Sequence, residues 1–110
     1  MDNGDVYNES YYKNHLGNIP YTDERFLEFF RHVAKRIVAD IHPHTVLDVG
    51  CAFGYLVGAL RAEGVEAYGI DISAYAISQV AEPVRPYCAN VSLFDTLPSS
   101  FPDTYDLVVN

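Results

Sequence analysis

Two acids, each at the end of an apolar run, and a glycine-bearing turn beside the first of them are the residues of this chain with chemistry to offer. Thr45 to Leu56 reads TVLDVGCAFGYL. A β-branched run carrying Asp48 near its end passes through Gly50 and Gly54 into what reads as a helix. Thr45 to Val49 shows no alternation of apolar and polar residues, the pattern of a parallel strand buried on both faces. The glycines supply backbone freedom, close approach to a ligand, and tight packing of the following helix on a sheet. A helix starting near Phe53 would turn its unpaired N–H groups toward an anion above the strand. After that helix comes VEAYGIDIS, a second strand ending on Asp71. It stands roughly 20 residues past the loop, the spacing of a βαβ unit. For either acid, capping of a helix by accepting loop N–H bonds is the competing role, although Ser73 is the better cap for the helix after Asp71.

A dinucleotide-binding fingerprint would want glycines where Gly50, Ala52 and Tyr55 stand, and two of the three are missing. The spacing Asp48-x-Gly50-x-Ala52-x-Gly54, preceded by VLDVG, instead resembles motif I of the class I S-adenosylmethionine (SAM)-dependent methyltransferases. The usual middle glycine is Ala52 here. If that position needs a positive φ, alanine costs on the order of 1 kcal/mol, which strains the turn without abolishing it. The resemblance implies a division of the cofactor among named residues. Asp48, Gly50, Ala52, Phe53 and Gly54 would hold the methionyl end, with Asp48 serving the ammonium directly or through water and the helix N-terminus taking the carboxylate. Asp71 would accept both ribose hydroxyls, Ile72 would lie against the adenine, and Asn90 would accept from the adenine amino group where the family commonly has an acid. Asn90 can equally make a turn, and Asp95 is a second, weaker choice for the adenine role.

Composition limits the remaining classes. The chain has 110 residues, 49% of them apolar, so one small globular domain is expected. A net charge of -8 argues against broad nucleic-acid binding and against docking on anionic lipid, while leaving a small-molecule substrate open. The N-terminus lacks the charged-then-apolar pattern of a leader and no apolar run reaches membrane length, so a cytoplasmic, membrane-free protein is expected. Cys51 and Cys88 fall at the mouths of the first and third strands. A strand between them would hold them too far apart for a disulfide, and reduced thiols are expected. No metal site is expected; His42 and His44 flank Pro43 on a connector at the opposite edge of the sheet from the loop.

The elements follow in order. Residues 1–21 read as an N-terminal arm, with Tyr7, Tyr11, Tyr12 and Tyr21 clustered around Lys13, His15 and a turn at Gly17 to Pro20. Methyltransferases with which this chain shares the motif often fold such a segment over the cofactor as a lid, which makes Tyr11 and Tyr12 contact candidates; rings packed on the core are the alternative. A helix over 22–42 has Thr22 as N-cap, buries Phe26, Phe29, Phe30, Val33, Ala34, Ile37, Val38 and Ile41, and stops at Pro43. A second helix runs from about Gly54 to Glu63 and is closed by Gly64. A third spans Ser73 to about Glu82 with Ala76, Ile77, Val80 and Ala81 inward. VRPYCANV is a third strand whose Pro86 requires an edge, and TYDLVVN is a fourth, buried strand.

The resemblance makes this an α/β fold, a Rossmann-like three-layer parallel sheet with strand order 3-2-1-4. Residues 1–110 form a single partial methyltransferase domain, of which 45–110 are the SAM-binding core. The family domain continues with a helix and three further strands that carry much of the substrate pocket. The expected function is methyl transfer from SAM to an O, N or C nucleophile of a small molecule, with no assignable catalytic base and an isolated chain that is inactive. Asn110 stands where the family's motif IV begins. The rival reading is a non-catalytic assembly or regulatory module that self-associates through its open fourth strand.

Overall fold

The computed structural model describes residues 8–14 and 21–110. Tyr7, His15 and the turn at Gly17 to Pro20 lie outside them. The elements are α1 (Glu9–Asn14), α2 (Glu24–Ile41), β1 (Thr45–Val49), α3 (Tyr55–Ala62), β2 (Glu66–Ile70), α4 (Ala74–Ser78), a 3-10 turn (Arg85–Tyr87), β3 (Cys88–Ala89) and β4 (Leu107–Val109). All four strands are parallel and lie in the order β3-β2-β1-β4, as the resemblance implies. No described helix is long and apolar enough to cross a membrane.

The centre of the sheet follows the expected pattern. Val46, Leu47 and Asp48 are buried in β1, between β2 on one side and β4 on the other. One face carries α2 and α3, packed through Ala34, Leu56, Val57, Leu60 and Val65. The other face is covered by the irregular segment between β3 and β4, whose Phe101, Leu97 and Tyr105 pack on Leu47, Ile70 and Tyr68. Asp106 pins β4 to β1 by accepting the His44 N–H at 2.7 Å and the Thr45 N–H at 3.3 Å.

Several boundaries differ from expectation. The cap of α2 is Asp23, not Thr22: its backbone is extended and its carboxylate accepts the Arg25 N–H at 2.9 Å. Phe29 and Ile41 are exposed. Phe29 lies about 140° around the helix from the buried Ala34, off the packed stripe, and Ile41 is the last helical residue. The helix stops because His42 turns left-handed (φ 56°) ahead of Pro43.

α4 ends at Ser78, well short of Glu82. The exit tightens into three-residue bonds, Gln79 to Ala76 and Val80 to Ile77, and turns Val80 into the core while Ala81 stays exposed. Pro86 sits in the 3-10 turn, where no ladder bond is required of it, and β3 keeps only two residues at the sheet edge. β4 is likewise short, an edge strand with Val108 exposed where a buried strand was expected. The N-terminal arm contains a helical turn, α1, that its sequence period did not announce.

Candidate functional site

The loop after β1 folds across the tip of β2. The N–H groups of Gly50 and Cys51 both donate to the Ile70 carbonyl, at 2.8 and 3.0 Å, and the Gly54 N–H closes a turn on the Cys51 carbonyl at 2.9 Å. Three residues of this turn have positive φ: Gly50 (84°), Ala52 (51°) and Gly54 (76°). Ala52 therefore does occupy the left-handed region, and its strain is held by the Asp71 carboxylate, which accepts the Ala52 N–H at 2.8 Å. A Cβ on Gly50 would project into open space, whereas one on Gly54 would press Cys88 Sγ at 3.2 Å and Val80 at 3.3 Å. Gly50 thus keeps a cradle open and Gly54 lets α3 seat on the sheet.

Asp48 and Asp71 stand on neighbouring strands, Asp48 opposite Gly69 in the β1–β2 register and Asp71 one residue past β2. Each is only 8% exposed. Their surroundings differ. One Asp71 oxygen takes the Ala52 N–H, and the other takes the Ser73 N–H at 2.8 Å. Ser73 caps α4 through its hydroxyl, as expected, accepting the Ala76 N–H at 3.0 Å. Burial, and then the Asp71 charge, push Asp48 up to a pKa of about 6. Among the described residues no arginine or lysine is paired with either acid.

A cavity of about 420 Å³ opens over these tips. Of the residues singled out in the sequence, Gly50, Ala52, Asp71 and Ile72 line it, together with Tyr11 and Tyr12 of the arm and Asn110. Asp48, Phe53, Gly54 and Asn90 do not. Asp48 is buried within β1, two residues before Gly50 of the loop. Phe53 is buried in an aromatic cluster, 4.9 Å from the Tyr12 ring and 4.8 Å from Tyr21. α3 begins at Tyr55, two residues later than the sequence suggested, so the turn and not the helix end faces the cavity at Ala52. Asn90 is exposed and spends its amide nitrogen on the Asp71 carbonyl at 2.9 Å. Asp95 closes a local turn by accepting the Ser92 N–H at 3.1 Å and does not line the cavity.

Sequence reasoning did not place Tyr21 or the wall formed by Val91, Ser92 and Leu93 in the site. Position alone could have found the wall, since it follows β3 as Asp71 follows β2. Tyr21 is identified only by packing: its carbonyl accepts the Tyr55 hydroxyl at 3.0 Å, and burial holds its own hydroxyl above the ordinary range and therefore neutral. The two readings of the arm merge at Tyr12, which packs on the core rings and lines the cavity at once.

The thiols require a correction. Both cysteines are free, as expected, but they are not held apart by β2. Gly69 of β2 has no side chain, and both cysteines approach it: Cys88 is its ladder partner, while Cys51 Sγ stands 2.7 Å from where a Cβ on Gly69 would sit and donates to the Ala52 carbonyl at 3.9 Å.

A parallel sheet in the order 3-2-1-4, a glycine turn at the first strand and acids at two adjacent tips define a nucleotide-binding α/β domain of the methyltransferase type. Comparison with known proteins agrees. A family model described as "Methyltransferase domain" matches residues 21–110, and the chain belongs to that family. A search of curated proteins finds no match.

Among solved structures, a SAM-dependent methyltransferase from Bacteroides fragilis, in complex with S-adenosyl-L-homocysteine (SAH), is 29% identical with a TM-score of 0.53; the match covers 68% of this chain and 30% of that one. The plantazolicin methyltransferase BpumL in complex with SAH is 22% identical with a TM-score of 0.53, over 98% of this chain and 41% of that one. At that identity it shows the fold alone. The chain thus spans well under half the length of either structure.

Proposed function

We propose that this chain is the cofactor-binding half of a SAM-dependent methyltransferase that transfers a methyl group to an O, N or C nucleophile of a small molecule. The observation that carries the reading is the convergence of Gly50, Ala52, Asp71 and Ile72 on one cavity with a second, uncompensated carboxylate behind it. Its volume is within the range of small-molecule pockets. A buried pair of acids with no basic partner among the described residues favours a ligand that brings its own positive charge, and SAM carries an ammonium and a sulfonium. The residues fit that ligand. Asp71 would take the ribose hydroxyls on lone pairs left by its two N–H donors, and Ile72 the adenine. Asn90, its nitrogen already used, would offer its amide oxygen to the adenine amino group. Asp48 would face the ammonium, and Gly50 and Ala52 would border the methionyl end.

When bound, the cofactor supplies an activated methyl group, so the chain's own work is positioning and exclusion of water. The turn fixes the loop backbone, and Tyr11 and Tyr12 cover the cavity. No described residue stands out as a base, and the isolated chain is expected to turn over little. A cytoplasmic location belongs to the same proposal. Calorimetry tests it: SAH should bind with a 1:1 stoichiometry, lose affinity in Asp71→Ala, and be preferred to NAD. Concentration-dependent dimerisation without nucleoside binding would replace this reading with that of an assembly module using the exposed edge at Val108.

A further inference from the structure

Cys51 lies within the cofactor turn, between Gly50 and Ala52, and Cys88 opens β3. The strand between them leaves a gap only because residue 69 is glycine. A Cβ there would meet Cys51 Cβ at 2.6 Å, Cys51 Sγ at 2.7 Å and Val57 at 2.9 Å. Cys88 is the direct ladder partner of Gly69, so both cysteines converge on the space that the missing side chain leaves. Cys51 Sγ donates to the Ala52 carbonyl at 3.9 Å, and each thiol is the strongest influence on the other's ionisation, Cys51 pushed up and Cys88 lowered. Cys51 is tied into the turn by its N–H to Ile70 and by its carbonyl to Gly54. Whatever moves its sulfur therefore moves the turn.

We propose that Cys51 and Cys88 form an oxidisable dithiol, a modification site for hydroperoxides, whose disulfide displaces the cofactor turn and weakens ligand binding in the adjoining cavity. In the first step a Cys88 thiolate attacks one oxygen of hydrogen peroxide. The O–O bond breaks, hydroxide leaves and takes up the proton lost by the thiol as water, and Cys88 becomes a sulfenic acid. In the second step the Cys51 sulfur attacks that of Cys88, the S–O bond breaks, and a second water departs with the Cys51 proton. Two thiols and one peroxide thus give one disulfide and two waters, the sulfurs losing the two electrons that the peroxide gains. The order of attack follows the electrostatics: interaction with Cys51 lowers the Cys88 thiol pKa against the opposing effect of burial, while Cys51 is pushed up.

Both thiols are buried, but the two neighbours of Cys51 line the cavity, so solvent in that space stands one residue from its backbone. A bound nucleoside would occupy that space and protect the pair. A disulfide fixes the two sulfurs about 2 Å apart with a specific dihedral, a tighter geometry than two free thiols need. Cys51 cannot follow without shifting Ala52, whose N–H is held by Asp71.

The inference about binding rests on the proposed cofactor reading, whereas the cross-link itself does not, and the test separates them. The chain is treated with a few equivalents of hydrogen peroxide and analysed by intact mass and by non-reducing tryptic mapping. The expected result is a loss of two hydrogens, and a dithiothreitol-sensitive link between the peptide holding Cys51 and the peptide holding Cys88. Sulfinic acids on separate peptides, or unreacted thiols, would overturn the site. Backbone amide exchange at residues 50–54 should then quicken at least tenfold on oxidation, and the affinity for SAH should fall at least tenfold and return on reduction.

A linked chain with unchanged exchange would overturn the coupling to the turn. If the turn loosens while the reduced chain itself fails to bind SAH, the cofactor reading falls and the dithiol stands. Cys88→Ser, or Cys88→Ala should the serine variant not fold, should keep its exchange pattern under peroxide.

Discussion

The tips of β1 and β2 carry equally buried carboxylates in opposite circumstances. Asp71 is satisfied by two backbone donors and builds structure: it joins the β1 turn to the start of α4. Asp48 gains no comparable support and is held part-protonated near pH 6 by burial and by its neighbour. A charge that folding has already accommodated can be used as scaffold, while one left costly is poised for a ligand that will neutralise it. On the proposed cofactor reading, Asp71 would stabilise both the empty fold and the complex, and Asp48 would stabilise the complex at the expense of the empty fold.

Four substitutions test this contrast. Asp71→Ala should have the largest effect. It strands the part-buried Ala52 N–H and the buried Ser73 N–H, and urea unfolding should show a loss of roughly 2–4 kcal/mol. SAH affinity should fall on the order of 100-fold, a further loss of about 2–3 kcal/mol. A stable Asp71→Ala variant would remove its scaffold role.

Asp48→Asn should have the opposite sign for stability. Below the ordinary carboxyl pKa of 3.8, Asp48 is protonated in folded and unfolded chains alike. As pH rises toward about 6 the unfolded chain ionises first, so stability falls across that window and levels off above it. The asparagine variant should lack this fall and be more stable than the parent at neutral pH by about 1–3 kcal/mol, read as urea midpoints at pH 4 and pH 8. Ligand binding should respond inversely. SAH affinity of the parent should rise between pH 5 and 7 as Asp48 ionises, and that of Asp48→Asn should be weaker and flat over the same range.

Ala52→Gly should relieve the left-handed residue at φ 51° and raise stability by up to about 1 kcal/mol, offset in part by unfolded-state entropy. No gain would mean that the bond to Asp71 already compensates the strain. Smallest is Tyr55→Phe, which removes the hydroxyl donated to the Tyr21 carbonyl. The expected loss is about 1 kcal/mol or less, with faster dissociation of SAH as Tyr12 loosens over the cavity.

Legibility in the sequence followed the length and directness of the signal. β1 and β2 were readable because short, largely apolar stretches without alternation, buried at their centres, leave little else for their side chains to do. Pro86 was correctly tied to the sheet's edge, yet the strand around it shrank to two residues, since a single proline constrains position without supplying pairing. α4 ended early as its last bonds tightened to three-residue spacing, which kept Val80 in the core and left Ala81 exposed. Asp48 and Phe53, named from the motif, do not line the cavity, whereas the Val91 to Leu93 wall carried no motif and was missed.

Residue type and spacing by themselves determined the parallel α/β class, the glycine turn, the two acidic strand tips and the family, because these depend on local backbone demands and on fixed offsets along the chain. Only the tertiary structure decided which acid is satisfied and which is strained, that Tyr12 belongs to both core and cavity, and that two cysteines 37 positions apart meet over Gly69. Those outcomes turn on distances across strands, where one absent side chain changes what can touch, and such distances are set by packing and not by order in the sequence.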